Sequence, residues 1–208
     1  MKIILCSLWA LLTCSLASAQ IEKGRMYLGG NIGFSQNTFR PSSATQFKTT
    51  ETNYTVTPSI GYLINNRVSL GVYIGYQNQR TRTFSPNLSL SDQIRARNST
   101  FFGIHSRYYI DTSYEKFKFF VQTSASLGFV TETNTLANER YLDISVSPNF
   151  AYFFTNKWCL ELNFTGIAYN RSRIRNTTGN VQLYDYTHSF ILSAQSFNPS
   201  IGIRYFFK

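Results

Sequence analysis

Cysteine is scarce in this chain, and its scarcity excludes a disulfide framework. Three cysteines occur among the 208 residues, and two of them, Cys6 and Cys14, lie in the N-terminal apolar stretch. The remaining chain holds only Cys159, so it cannot form an internal disulfide. A single cysteine within an apolar alternation is typical of a small packed side chain rather than a nucleophile.

Histidine is also scarce, which argues against metal chemistry and acid–base catalysis. The chain has two histidines, His105 and His188. With one cysteine far from both, they give no ligand set for a metal. His188 has Asp185 and Ser189 nearby in the sequence, but a general base requires a positioned partner and a reaction site. We predict no catalytic residue, no cofactor and no enzymatic activity.

Long apolar runs are missing beyond the N-terminus. Residues 1–19 combine a basic start, an apolar run and an A-x-A sequence ending at Ala19, which is typical of a cleaved secretory signal peptide. A lipoprotein interpretation would use Cys14, but Thr13 stands where such signals have a smaller residue. The rest of the chain has no apolar run near the eighteen or so residues that a membrane helix needs. We predict an exported protein with one domain, residues 20–208.

Acidic residues are also few. Lys and Arg total 20 and Asp and Glu total 10, which gives a formal charge of +10. The basic residues cluster between the apolar segments, at 80–82, 95–97 and 171–175. An exported protein rarely meets nucleic acid, so this excess indicates an anionic surface, either lipopolysaccharide or a host polysaccharide, as the partner.

Alternation of apolar with small or polar residues is abundant. From Val68 to Gln77 the even positions read Val, Leu, Val, Ile, Tyr, and the odd positions read Ser, Gly, Tyr, Gly, Gln. A period of two predicts a β-strand with one apolar face. The pattern recurs about eight times, each time near the ten residues that a tilted strand needs to cross a bilayer. Short turns separate some strands, and long polar loops separate the others, at about 37–49, 79–97, 131–139 and 170–189.

The apolar faces are too large and too aromatic to be covered by the chain itself, since no helices are predicted. Lipid can cover them, so the apolar positions face outward and the small and polar positions face inward. An open sheet would leave unpaired backbone in hydrocarbon, so the strand from Arg25 must pair with the strand ending at Phe207. We predict an all-β fold, a closed antiparallel eight-stranded transmembrane β-barrel with short periplasmic turns and longer extracellular loops.

Three prolines, Pro58, Pro148 and Pro199, fall on the apolar faces of predicted strands. Each removes a backbone donor, so we predict a bulge or a local kink at each position. All three prolines belong to a weak internal repeat of residues 57–76, 147–166 and 198–207, and in the first two copies an Asn-bearing turn precedes a new strand. The repeat indicates a reused hairpin rather than a solenoid.

The whole-chain pattern resembles a known family. The signal peptide, the opening RMYLGGNIGFS, the hairpin GYLINNRVSLGVYIGY and the closing NPSIGIRYFFK are similar to the small eight-stranded outer-membrane barrels of the OmpA/OmpX type, in their Bacteroidetes-like form. The resemblance covers residues 21–208 and implies a location in the bacterial outer membrane. It also implies assembly by the barrel-assembly machinery, which in this family recognises a terminal aromatic; here Lys208 follows Phe207.

The inward positions hold six polar residues that we predict to form an interior network: Glu161, Arg204, Arg107, His105, Arg67 and Asp143. Glu161 and Arg204 lie at similar height on neighbouring strands, which predicts an ion pair. Because buried charges need partners, we interpret the network as a plug that holds the barrel shut. A narrow gated pore is the alternative.

Five arginines at the outer rim are predicted to contact anions. Extending the outward phase of the third strand puts Arg80 and Arg82 on the outer face, where they would hold lipopolysaccharide phosphates. Extending the inward phase of the seventh strand puts Arg171, Arg173 and Arg175 around the mouth, where they would attract soluble anions. The alternative is that all five are solvated rim charges.

These observations predict a monomeric, non-enzymatic protein of the outer membrane that supports envelope integrity and displays its loops. One alternative is a loop-mediated adhesin for host anionic polysaccharide or matrix. The other is a narrow pore for small or hydrophobic solutes.

Overall fold

The computed structural model describes residues 21–39, 48–84, 93–132, 138–178, 181–192 and 200–208. The predicted signal peptide and Pro199 lie outside this range. The described residues form ten strands: β1 Met26–Phe39, β2 Lys48–Leu63, β3 Val68–Phe84, β4 Gln93–Asp111, β5 Phe117–Glu132, β6 Asn138–Phe153, β7 Trp158–Asn163, β8 Ile167–Thr178, β9 Val181–Leu192 and β10 Ser200–Phe207. No helix in this part of the chain is long and apolar enough to cross a membrane.

The ten strands occupy eight positions around a barrel. Strands β1 to β6 pair antiparallel in chain order. β6 then pairs with β8 along its first half and with β7 along its second half, so β7 and β8 share the seventh position. β9 pairs with β8 and β10 pairs with β7, so they share the eighth. The ladder between β10 and residues 26–32 of β1 closes the barrel, which confirms the predicted fold.

The two faces of the strands differ as predicted. On β3, the outward Leu70 and Val72 are 51% and 53% exposed. Ser69, directly before Leu70 on the inward face, is 0% exposed. The outward face is a continuous band of apolar side chains, and the inward face carries the small and polar residues. The side-chain period of two therefore assigns inside and outside correctly along β3.

The prediction of long polar loops is wrong over much of its extent. β3 continues to Phe84 and β4 begins at Gln93, and the predicted loop at 170–189 lies almost entirely within β8 and β9. These segments are rich in Thr, Asn, Gln and Arg and lack apolar alternation. Ladder hydrogen bonds join backbone groups and need no apolar side chain, so the strands continue beyond the apolar band as hairpin arms.

We call the end of the barrel that carries the short turns its lower end. Two of these turns are stabilised by the same kind of side-chain hydrogen bond. Asn65 Oδ1 accepts hydrogen bonds from the backbone N–H groups two and three residues on, at 2.8 and 2.7 Å. Thr155 Oγ1 does the same at 3.2 and 3.0 Å. Both residues occupy the same position of the internal repeat, which agrees with its interpretation as a reused hairpin.

A β-bulge interrupts the seventh position opposite Pro148. Asn149 of β6 pairs with Asn163 of β7, and Val146 of β6 pairs with Ile167 of β8. Between these pairs two residues of β6 face three residues, 164–166. The extra residue is a bulge, one of the two outcomes predicted at Pro148, and it lies on the strand opposite the proline. At Pro58 the ladder between β2 and β3 lacks two residue pairs, but the register is the same on both sides of the gap. This is a local interruption rather than a bulge.

Asn149 and Gly166 stabilise the bulge. The Asn149 side chain is fully buried. Its Nδ2 donates to the Ser147 carbonyl oxygen at 2.9 Å, and its Oδ1 accepts from the Phe164 N–H at 3.2 Å. A Cβ on Gly166 would overlap the carbonyl oxygen of Val146, so only glycine permits this close approach of the two strands.

The bulge reverses the faces of β8, which makes one prediction wrong. One extra residue moves every following side chain to the opposite face. Ile167 and Tyr169 are accordingly outward and exposed. Arg171, Arg173 and Arg175 share their phase and lie exposed on the outer surface, not around the mouth of the barrel.

We expect Val72→Lys, at mid-height on the outward face, to lower the free energy of unfolding by about 2–4 kcal/mol, because a lysine there would lie in hydrocarbon. Gln77→Lys, on the inward face of the same strand, should cost about 1 kcal/mol or less. Reversible folding into liposomes measures both values. Equal losses would contradict the assignment of the two faces.

We expect Asn149→Ala to lower the free energy of unfolding by about 1–3 kcal/mol, because it leaves buried backbone groups of the bulge without partners. Asn98→Ala is the control, since that amide lies at the outward rim, where water replaces its bonds. Denaturant titration in detergent micelles measures both. A loss no greater than that of the control would show that the bulge does not depend on Asn149.

Candidate functional site

Three charged side chains meet in the lower interior, near the short turns. Arg107 Nη1 lies 2.8 Å from Glu161 Oε1, and Arg204 Nε lies 2.7 Å from the same oxygen. Arg204 Nη1 also donates to Ser59 Oγ at 2.6 Å. The side chains of Glu161, Arg107 and Arg204 are 0%, 1% and 1% exposed. The structure thus contains the predicted ion pair and adds Arg107 as a second cation; we call these three residues the ion cluster.

Aromatic rings face the excess positive charge of the ion cluster. One carboxylate cannot neutralise two guanidinium groups. The centroid of the Tyr27 ring lies 5.4 Å from Arg107 Cζ and 5.2 Å from Arg204 Cζ. The Phe120 ring lies 4.9 Å from Arg107 Cζ. Because the face of an aromatic ring carries negative potential, these rings stabilise the cations in a site that holds no second carboxylate.

His105 is a structural member of this site. Its Nε2 lies 2.7 Å from the Tyr27 hydroxyl, which is also 3.4 Å from Ser69 Oγ. The histidine is 4% exposed. The imidazole is thus held by a phenol beside two arginines, and no carboxylate in the described part of the chain bonds to it. Tyr27 joins the cluster to His105, and sequence reasoning did not select it because an inward tyrosine looks like ordinary packing.

Glycines make room for the large inward side chains. The strand register puts each of these pairs directly opposite each other: Tyr27–Gly61, His105–Gly71, Phe101–Gly75, Tyr73–Gly103, Tyr141–Gly128 and Arg204–Gly29. A Cβ on Gly61 would overlap the Tyr27 ring. Eight strands enclose a space only just wide enough for side chains, so a ring from one strand needs an empty position on the next. Register identifies these pairs, and alternation alone does not.

Aromatic and aliphatic side chains close the interior below the ion cluster. They are Leu63, Tyr109, Phe120, Phe153 and Phe206, each 3% exposed or less. The ring centroids of Tyr109 and Phe120 lie 5.2 Å apart, and those of Phe153 and Phe206 lie 5.4 Å apart. These five side chains, which we call the lid, fill the lower interior from the ion cluster to the turns.

Above the ion cluster the interior opens into a polar cavity of about 480 Å³. His105, Arg107 and Arg204 contribute to its floor. Ser124 Oγ and Ser145 Oγ share a hydrogen bond of 2.8 Å on its wall. Higher up, Arg97 and Glu139 form an ion pair between the inward faces of β4 and β6.

The other residues predicted for the network divide between interior and surface. Asp143 lines the cavity, as predicted, and shares a hydrogen bond with Asn170. The prediction for Arg67 is wrong. Its side chain is 61% exposed and lies 3.5 Å from Asp111 at the lower surface. Arg67 precedes the first residue of β3 and belongs to a turn, where the alternation of strand faces does not apply.

Arg80 and Arg82 lie exposed on the outward face of β3, in the predicted phase. Their contact with lipopolysaccharide stays a prediction. His188 Nδ1 lies 2.9 Å from the Tyr169 hydroxyl, which is a phenol and not a carboxylate. Within the described residues, no group of three or more His, Cys, Asp and Glu side chains is arranged to hold a metal ion.

We expect Glu161→Gln to lower the free energy of unfolding by about 3–5 kcal/mol, because it leaves two guanidinium groups buried without an anion. Asp111→Asn is the matched control. It also removes a carboxylate bonded to two cations, Lys118 at 2.8 Å and Arg67 at 3.5 Å, but on the surface. The control should cost about 1 kcal/mol or less. Similar losses in the two variants, measured by denaturant titration, would contradict the role assigned to the ion cluster.

Three solved structures are similar to this chain over most of its length. The N-terminal β-barrel domain of OprF from Pseudomonas aeruginosa is 10% identical, with a TM-score of 0.45, over 89% of this chain and 98% of that one. Neisserial surface protein A is 15% identical, with a TM-score of 0.44, over 88% and 99%. OprG from Pseudomonas aeruginosa is 10% identical, with a TM-score of 0.48, over 91% and 98%.

No curated protein matches the chain. The family model described as the outer membrane protein beta-barrel domain matches residues 6–198, which is most of the sequence. The chain therefore belongs to this family of outer-membrane β-barrels.

Proposed function

We propose that this protein is a non-conducting, non-enzymatic barrel that supports the bacterial outer membrane and presents its hairpins at the cell surface. The ion cluster is the observation that carries the proposal. Three side chains that are at most 1% exposed cross the lower interior at the level of Glu161. A buried carboxylate bonded to two guanidinium groups does not leave its site without a large cost in free energy.

The lid strengthens the argument against a pore. Solute in the cavity would have to pass both the ion cluster and the packed rings below it, such as Phe153 and Phe206. Interiors packed in this way leave no continuous water path. The cavity is then a cup that opens upward, away from the short turns.

Surface display is supported by the length of the hairpin arms. β8 and β9 pair through Thr178 and Val181, well beyond the last outward apolar residues of β8. β3 likewise continues through Arg80 and Arg82 after its apolar band ends at Tyr76. Polar strands that extend past the apolar band project into water, where they are accessible to other molecules.

The positions of three arginines do not favour the adhesin alternative. Arg171, Arg173 and Arg175 were predicted to attract soluble anions around the mouth, and the bulge turns them to the outer wall. The enzyme alternative is equally weak, since His105 and His188 both bond to phenols. Neither histidine is paired with the carboxylate that would orient a general base.

Planar lipid bilayers test the proposal directly. The purified barrel should give no reproducible single-channel steps, because the ion cluster and the lid close the lower end. A general porin, measured in the same bilayers, serves as a positive control for insertion, and heat-dependent mobility in gel electrophoresis confirms folding. Reproducible steps from the folded protein would reject the non-conducting barrel in favour of a pore.

A further inference from the structure

Four arginines form a basic cluster on the outer wall. Arg140 of β6 and Arg171, Arg173 and Arg175 of β8 are all exposed. Arg140 lies directly opposite Arg173 in the ladder, and Leu142 lies directly opposite Arg171. Directly opposed side chains on one face of a sheet are close, and like charges in such pairs are destabilising. An anion between the two guanidinium groups would reverse the sign of that interaction.

Aromatic rings make cation–π contacts with three arginines of this cluster. Arg140 Cζ lies 5.6 Å from the centroid of Phe129, and Arg173 Cζ lies 5.7 Å from that of Tyr186. Arg171 Cζ lies 6.0 Å from the Tyr186 centroid. These contacts orient the planar guanidinium groups along the wall.

A groove of about 270 Å³ runs between the arginines. Arg140, Arg173 and Arg175 line it, together with Phe129 and Thr131. Glu139 also borders the groove, but its carboxylate bonds to Arg97 on the inner face.

The cluster lies where the apolar band ends. Phe129, Leu142 and Tyr169 are the uppermost outward apolar residues of β5, β6 and β8, and the next outward position on β6 and β8 is an arginine. Below this line Leu127 and Ile144 continue the apolar wall. A ligand with phosphate above and acyl chains below would satisfy both surfaces at once.

We infer that Arg140, Arg171, Arg173 and Arg175 bind the phosphate of a phosphorylated lipid in the outer leaflet, with its acyl chains against Phe129, Leu142 and Tyr169. Guanidinium groups bind phosphate oxygens bidentately, and two opposed arginines suit one phosphate. The apolar wall favours a lipid over a free phosphate or a soluble polysaccharide. This site is independent of whether the barrel conducts.

The test compares two double variants that remove the same charge. Arg140→Gln with Arg173→Gln removes the opposed pair. Arg67→Gln with Arg95→Gln removes one arginine at the lower surface and one on the inward phase of β4. The probe is bisphosphorylated lipid A added to the full folded barrel in detergent micelles, with bound lipid counted by native mass spectrometry.

The opposed-pair variant should bind lipid A at least about tenfold more weakly, since it loses several charge-assisted hydrogen bonds. The control variant should stay within about twofold of the parent. Arg140→Lys with Arg173→Lys keeps the charge but loses the fork, so it should bind with intermediate affinity. Heat-dependent gel mobility identifies folded protein in every sample.

Competition separates the sources of phosphate. Inorganic phosphate and heparin should displace lipid A poorly at equal concentration, because neither occupies the apolar wall. Unchanged lipid A binding in the opposed-pair variant would overturn the inference, and so would equal losses in both double variants. Displacement by heparin at low concentration would instead indicate a soluble polyanion as the ligand and would also overturn it.

Discussion

The carboxylate of Glu161 pairs with both guanidinium groups of the ion cluster. The closed lower interior depends on this pairing, because it holds two buried cations in place. Glu161 and Arg204 come from the neighbouring strands β7 and β10, and Arg107 comes from β4, across the interior. Ser59 extends the bonds to β2 and Tyr27 extends them to β1. Backbone ladders join only neighbouring strands, whereas this cluster joins five strands across the interior. It therefore fixes the cross-section of the barrel in a way that ladders alone do not.

The ion cluster also requires the pairing of large side chains with glycines. An arginine, a histidine and several rings must share a space that eight strands barely provide. Gly29 lies opposite Arg204, Gly61 lies opposite Tyr27, and the side chains fill the positions that the glycines leave empty. A register slip of one residue would put Ile60 or Tyr62, in place of Gly61, opposite Tyr27 and close that space. Interior packing therefore requires this strand register, because the large side chains fit only opposite glycines.

Alternation was sufficient to predict the barrel, its two faces and the inward ion pair of Glu161 with Arg204, because these depend only on a period of two along regular strands. The prediction for Arg67 failed because a turn has no alternating faces. The polar hairpin arms were taken for loops because backbone pairing leaves no mark in the pattern of apolar side chains. Tyr27 was missed because its role depends on Gly61 and His105, which only the register brings beside it.

The bulge opposite Pro148 explains why the arginines of β8 were assigned to the wrong face, although a bulge or a local kink was predicted at that proline. The strand faces keep their phase on both strands at Pro58, whereas opposite Pro148 the phase reverses between β7 and β8, because 164–166 holds one extra residue. This single residue also decides the charge of the interior. The ion cluster already carries one more cation than anion, and Arg171, Arg173 and Arg175 facing inward would have added three above it. Turned outward, they leave a cavity in whose upper part Arg97 pairs with Glu139, and their positive charge lies on the outer wall instead.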